Sequence, residues 1–190
     1  MITHSGTMVL QTNRLVLRPF QLADAEDMLK YWISYPMAQA RYMSDLCTTK
    51  EGAEQLLNNW IAAYADPTFY KWAVIERQSN RCIGQIALWG FDEPHSACDV
   101  YYCVGEAFQG KGYMTEAFRP VLGYAFTALH VELFRVCTRS SNVASQKVIR
   151  NCNFRHVKTD ENALYENGVQ VDRYFYELTK DEWLDGGVIA

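Results

Sequence analysis

Apolar and polar positions alternate with two periods along this chain, and the changes of period mark out its elements. Arg14 to Arg18 alternates as a strand, and Pro19 stops it before a helix that begins at Asp24. That helix carries Met28, Leu29, Trp32 and Ile33 on one face, and Tyr35 and Pro36 are expected to end it. A second helix opens with Thr48 and Glu51 spaced as a capping box, carries Leu56, Leu57, Trp60, Ile61 and Tyr64, and closes at Asp66-Pro67. Tyr70 to Glu76 and Cys82 to Leu88 then read as strands joined by the polar turn Arg77 to Arg81, a hairpin. A loop with Asp92, Glu93 and Pro94 follows.

The second half alternates strand and helix: strand Cys98 to Val104, a glycine-rich turn, helix Tyr113 to Leu129, strand Leu133 to Thr138, helix Asn142 to Asn151, and strand Phe154 to Lys158. Such alternation implies at least two parallel strands joined by a right-handed crossover. A last strand, Arg173 to Leu178, comes after a turn at Asn167-Gly168. Hairpins early and crossovers late predict a mixed sheet in an α/β (α+β) fold. No repeat, low-complexity segment or linker divides the chain, so one domain is expected over residues 8–184. Met1 to Thr7 reads as an untethered tail with Met8 as an alternative start, and 185–190 as a loose end.

Composition narrows the class. The 190 residues are 49% apolar, enough for one sizeable core. Eighteen basic against 22 acidic side chains, with no Lys/Arg run, argue against nucleic acid as a partner. No stretch approaches the ~20 apolar residues of a membrane span, and the start lacks a signal-peptide layout, so the expected location is cytoplasmic. Cys47, Cys82, Cys98, Cys103, Cys137 and Cys152 form no C-x-x-C pair and have no histidine at zinc spacing; they read as reduced core residues, and no metal is expected. Aromatic residues make up 14% of the chain, and such residues line ligand sites as readily as they fill cores.

The segment richest in chemistry is Val104 to Glu116, where a strand runs into glycines that open directly into a helix. Amides of such a turn point outward, the helix dipole adds positive charge, and glycines let the backbone approach an anion. Gly105 to Gly112 spells G-x-x-x-x-G-K-G, but the Ser/Thr that a P-loop needs after its lysine is glycine, and no magnesium-holding Asp is apparent. The dinucleotide pattern G-x-G-x-x-G near the first strand is absent. A turn with no ligand is the remaining reading of an isolated G-x-G.

Gln109-Gly110-Lys111-Gly112 followed by Tyr113-Met114-Thr115-Glu116-Ala117 resembles the pyrophosphate loop of the GCN5-related N-acetyltransferases, written Gln/Arg-x-x-Gly-x-Gly/Ala. Arg14 to Arg18, Cys82 to Ile86, Ser141 to Ser145, Asn167-Gly168 to Asp172, Tyr176 and Glu182-Trp183 fall in the family's order, over roughly residues 10 to 183. Together they resemble the subfamily of bacterial acetyltransferases for ribosomal-protein N-termini (alanine or serine). Met114 replaces the general motif's small residue, and Asn153 stands where a glycine precedes Phe154.

The resemblance implies a mixed central sheet flanked by helices on both faces, acetyl-coenzyme A as donor, and a primary amine attacking the thioester in a ternary complex. It implies that amides from Gln109 to Met114 hold the pyrophosphate, with Lys111 as an outer charge. It also implies that free backbone groups of Tyr102, Cys103 and Val104 pair with the pantetheine arm, and that Asn142 contacts the donor besides capping its helix. Ser145 matches the serine thought to protonate the departing thiolate, or is simply a first-turn serine; the tyrosine many relatives use is Ile149 here.

The base stays open. Leu164 stands where the subfamily has a glutamate, with Glu161 and Glu166 close by, and Asp99 matches a family carboxylate that acts through water or is merely solvated. A lysine-like amine of pKa ~10.4 is ~0.04% neutral at pH 7, an α-amine near 7.7–8.0 ~10–20%. A site lacking an obvious base suits the α-amine of a peptide or protein. A small-molecule amine, or a non-catalytic acyl-coenzyme A sensor, are the alternatives. The region from Tyr31 to Ser44, with Trp32, Tyr35 and Tyr42, is expected to rim the acceptor pocket, in a monomer or homodimer.

Overall fold

A computed structural model describes residues 1–34 and 47–186. Eight strands form one sheet: β1 (Leu10–Gln11), β2 (Leu15–Arg18), β3 (Tyr70–Glu76), β4 (Arg81–Asp92), β5 (Ala97–Val104), β6 (Leu133–Arg139), β7 (Arg155–Glu166) and β8 (Val169–Thr179). Their order is β1-β2-β3-β4-β5-β6-β8-β7. Every pairing is antiparallel except β5 with β6. The described helices are α1 (Ala25–Tyr31), α2 (Lys50–Ala63), α3 (Tyr113–Thr127), α4 (Val143–Asn151) and α5 (Lys180–Asp185). None is long and apolar enough to cross a membrane.

Strand alternation divides the core in two. Trp72 and Val74 of β3, with Val100 and Tyr102 of β5, face Phe118, Val121 and Phe126 of α3 and Ile149 of α4. Ala73 and Ile75, one residue out of phase, face Met28 of α1 and Leu57 of α2. The sheet is thus covered on both faces, and α3 is the crossover between its parallel strands. Asn153 adopts φ +64°, the left-handed conformation that glycine takes most readily and asparagine next, which explains how it stands in for glycine there.

Several expectations need correction. The cap of α2 is Thr49, whose hydroxyl accepts from the Gly52 amide, one residue beyond the Thr48–Glu51 register. The end assigned to Tyr35 and Pro36 lies outside the described residues; α1 itself stops at Tyr31. Residues 1–7 are not loose. Ile2 is 6% exposed, the Thr3 amide donates to Leu129 O, the Tyr124 hydroxyl donates to Gly6 O, and His4 contacts Tyr70 and Glu93. The strands after α4 run much longer than expected, and a closing helix follows them, begun by a Thr179–Glu182 capping box. All six cysteines are free, but Cys137 is exposed on β6 rather than in the core.

Candidate active site

The turn between β5 and α3 has the backbone geometry of an anion cradle. Gly110 and Gly112 both adopt positive φ, +73° and +79°, and Gly112 is the residue from which α3 starts. The amides of Gly110 to Thr115 donate to no protein acceptor among the described residues, so they converge on the space above the first turn of α3. Gln109 differs from the expectation: its amide is used on Glu106 O, and its side chain reaches Val104 O at 3.3 Å.

A brace holds the turn from behind, and sequence reasoning missed it. Arg14 donates from Nη1 to Lys111 O at 3.0 Å and from Nε to Glu116 Oε2 at 2.6 Å, and its guanidinium lies 4.6 Å from the Tyr113 ring centre. Thr12 and the Arg14 amide complete the shell of Glu116. Burial works against the Glu116 carboxylate, but those donors outweigh it and hold its pKa below the usual value. The Tyr113 hydroxyl donates to Glu76, so the tyrosine anchors the start of α3 to the sheet. Lys111 is exposed, with its ammonium 5.4 Å from the Phe108 ring centre.

Below the cradle the sheet opens. β5 and β6 pair at Ala97–Leu133, Cys98–Phe134 and Asp99–Arg135, and their ladder stops there. A cavity of about 890 Å³ occupies this region, lined by Tyr102 to Glu106, Phe108 to Thr115, residues 141–145 and Trp32, among others. Two elements meet across it. Asn142 caps α4 by accepting from the Ser145 amide at 3.2 Å, which presents the Ser145 hydroxyl to β5. There Ser145 Oγ lies 2.6 Å from the Tyr102 hydroxyl, and both groups are buried.

The remaining candidates divide. Trp32 lines the cavity at 2% exposure, with an indole N–H that has no acceptor among the described residues. Tyr35 and Tyr42 lie outside the described residues. Asp99 is not brought into the cavity wall. It sits on the last paired rung, its carboxylate 3.2 Å from Arg135 and so close under Gly90 that a Cβ there would lie 2.5 Å from Oδ2. Burial raises its pKa and Arg135 pulls it back down. The carboxylate that does reach the α4 entrance is Glu166, directly before Asn167-Gly168 rather than at Leu164; it accepts from Ser141 and pairs with Arg139 at 2.9 Å.

A row of amides at the mouth of a cleft between parting strands has the geometry suited to an extended, phosphorylated ligand. The chain belongs to the acetyltransferase (GNAT) domain family, which matches residues 14–155. It is 29% identical over 130 residues to YdaF of Bacillus subtilis (strain 168), provisionally named a ribosomal N-acetyltransferase, covering 68% of this chain and 70% of YdaF. In fold it is similar to a ribosomal-protein-S5-alanine acetyltransferase from Vibrio fischeri, with TM-score 0.77, 20% identity, and 93% and 98% of the two chains covered. It is also similar to RimL, a ribosomal L7/L12 alpha-N-protein acetyltransferase solved with coenzyme A, with TM-score 0.76, 18% identity, and 92% and 99% covered. The protein is therefore an N-acetyltransferase of a family that uses acetyl-coenzyme A.

Proposed function

We propose that the protein transfers the acetyl group of acetyl-coenzyme A to a peptide or protein N-terminal α-amine by direct attack in a ternary complex. The observation that carries the donor half is the row of amides from Gly110 to Thr115, without a protein acceptor among the described residues, above the cleft where the β5–β6 ladder ends. Those amides take the pyrophosphate, with Lys111 as an outer charge. Backbone groups of Tyr102 to Val104 pair with the pantetheine arm, and a main-chain N–H there polarises the thioester carbonyl. Asn142 sits at the same opening, and Ser145, hydrogen-bonded to Tyr102, supplies a proton to the leaving sulfur.

Direct attack is supported by the state of Cys103, the cysteine of the cavity wall. Burial pushes its thiol up to about 12, so almost none is thiolate at neutral pH, and an acyl-cysteine route lacks its nucleophile. The acceptor half rests on charge. Among the described lining residues Glu106 is the one carboxylate, a poor match for a polyamine or aminoglycoside and a fair one for a singly charged α-amine. The names of YdaF and of the two ribosomal-protein acetyltransferases point the same way, while a spermidine N-acetyltransferase chimera shares the fold at TM-score 0.72.

A panel of acceptors tests this. Short peptides with a free N-terminal alanine or serine should release coenzyme A at least roughly tenfold faster than the same peptides with a blocked N-terminus and an internal lysine, since ~10–20% of an α-amine is neutral at pH 7. Faster turnover of spermidine or an aminoglycoside than of any peptide would replace the acceptor.

A further inference from the structure

A second cavity, of about 480 Å³, lies between α4 and the β7–β8 hairpin and shares no lining residue with the donor cleft. Gln146 and Arg150, one helical turn apart, line it from α4, and Tyr174 and Tyr176, alternate residues of β8, line it from the sheet. A bulge lets β7 complete it. His156 pairs with Tyr176 and Thr159 with Tyr174, so β7 advances one residue more than β8 between those rungs, and residues of opposite parity arrive on one face. The His156 ring stands edge-on to Tyr174 and Tyr176, with ring centres 5.5 and 5.3 Å away, and its Nε2 lies 3.0 Å from Thr159 Oγ1.

Polar groups without protein partners converge on this space. Tyr176 is only 5% exposed, yet its hydroxyl has no hydrogen-bond partner among the described residues, whereas a buried tyrosine ordinarily finds one. That hydroxyl is not sealed inside the protein either, so it opens onto the cavity. The Tyr174 hydroxyl is likewise without a partner, and Arg150 has no carboxylate partner among the described residues. Arg150 is near enough to Tyr176 to favour charge on its phenol. Gln146 is held from its other end, Nε2 donating to Ser140 O at 2.8 Å.

We propose that this cavity is a binding site for a small aromatic carboxylate. The ligand's ring packs against Tyr174 and Tyr176, and its carboxylate takes the planar guanidinium of Arg150 and the hydroxyl of Tyr176. No Asp or Glu lines the cavity among the described residues, and Arg150 is a permanent positive charge, so the site suits an anion and disfavours an amine. Its volume falls within the range of small-molecule sites, and aromatic walls with a few convergent polar groups are their usual composition.

The test is isothermal titration calorimetry of the full-length protein with phenylacetate, run with and without coenzyme A. Phenylacetate should bind with a dissociation constant at or below about 1 mM in both titrations, because the two cavities are separate. Phenylacetamide, which keeps the shape and loses the charge, and acetate, which keeps the charge and loses the ring, should each bind at least about tenfold more weakly. Arg150→Gln should weaken phenylacetate about tenfold, and Tyr176→Phe, which removes a single oxygen, about threefold. Neither group has a hydrogen-bond partner to lose, so both variants should melt within about 2 °C of wild type, and their lost affinity then reports a lost ligand contact. The proposal is overturned by no binding of phenylacetate up to about 10 mM, by phenylacetamide binding as tightly, by affinity unchanged in both variants, or by displacement of phenylacetate by coenzyme A.

Discussion

Ser145→Ala should lower the rate of acetyl transfer by about 10³-fold while leaving the dissociation constant for acetyl-coenzyme A within about threefold of wild type, because a positioned proton donor contributes chiefly in the transition state. The substitution is clean. The cap that Asn142 provides is to the Ser145 amide, not its hydroxyl, so α4 keeps its N-terminus. The loss falls on one hydrogen bond, 2.6 Å to the Tyr102 hydroxyl, while the contact of that hydroxyl with Ser145 O at 3.3 Å survives. Tyr102→Phe should therefore give a smaller defect of the same kind. A rate loss under about fivefold in Ser145→Ala, measured by steady-state kinetics with direct donor titration, would make the serine a helix-turn residue and nothing more.

Gly84→Ala and Gly105→Ala should each cost about 3 kcal/mol, at the upper end for overpacking, because what the new methyl meets is backbone. At Gly84 it would overlap the Cys103 carbonyl oxygen and crowd Val104 Cα at 2.9 Å; at Gly105 it would lie 2.5 Å from the Tyr31 carbonyl oxygen. Neither oxygen belongs to a flexible side chain that can swing aside. The two glycines clamp the end of β5 between β4 and α1, and that end is a wall of the cavity. Thermal unfolding should drop by roughly 6–12 °C, and donor affinity should fall with it. Gly110→Ala is the control: nothing lies within 4 Å of the added carbon, and only the positive φ is strained, worth about 1 kcal/mol. Equal midpoints for all three variants would show that close backbone approach does not shape this wall.

The glycine turn was legible because its chemistry is local: a strand, two positive-φ residues and a helix start lie within ten or so consecutive positions. The order of strands and helices was legible for the same reason, through period and punctuation. What escaped was set by register and by distance along the chain. Lys71 in the run Tyr70-Lys71-Trp72-Ala73 looks like a residue pointing to solvent, and only the pairing of β3, β4 and β5 brings it onto Tyr101. Arg14 and Glu116 are an exposed strand residue and a helix residue until the fold joins them across the chain. His4 similarly docks on Tyr70 and Glu93, contacts that no local pattern encodes. Asp99 shows the reverse: a plausible position in sequence, but its carboxylate is turned to Arg135.

The central claim is that the cradle and the split strand pair present an acetyl thioester to an amine. Acetyl-coenzyme A, a peptide with a free N-terminus and the protein should be incubated together, with coenzyme A and acetylated peptide quantified by chromatography and mass spectrometry. The account predicts that coenzyme A and N-acetyl peptide form in equal amounts, and that both stop when the amine is omitted. Coenzyme A released at the same rate without an amine, or no release with any amine while acetyl-coenzyme A binds tightly, would contradict it and leave a hydrolase or a sensor in its place.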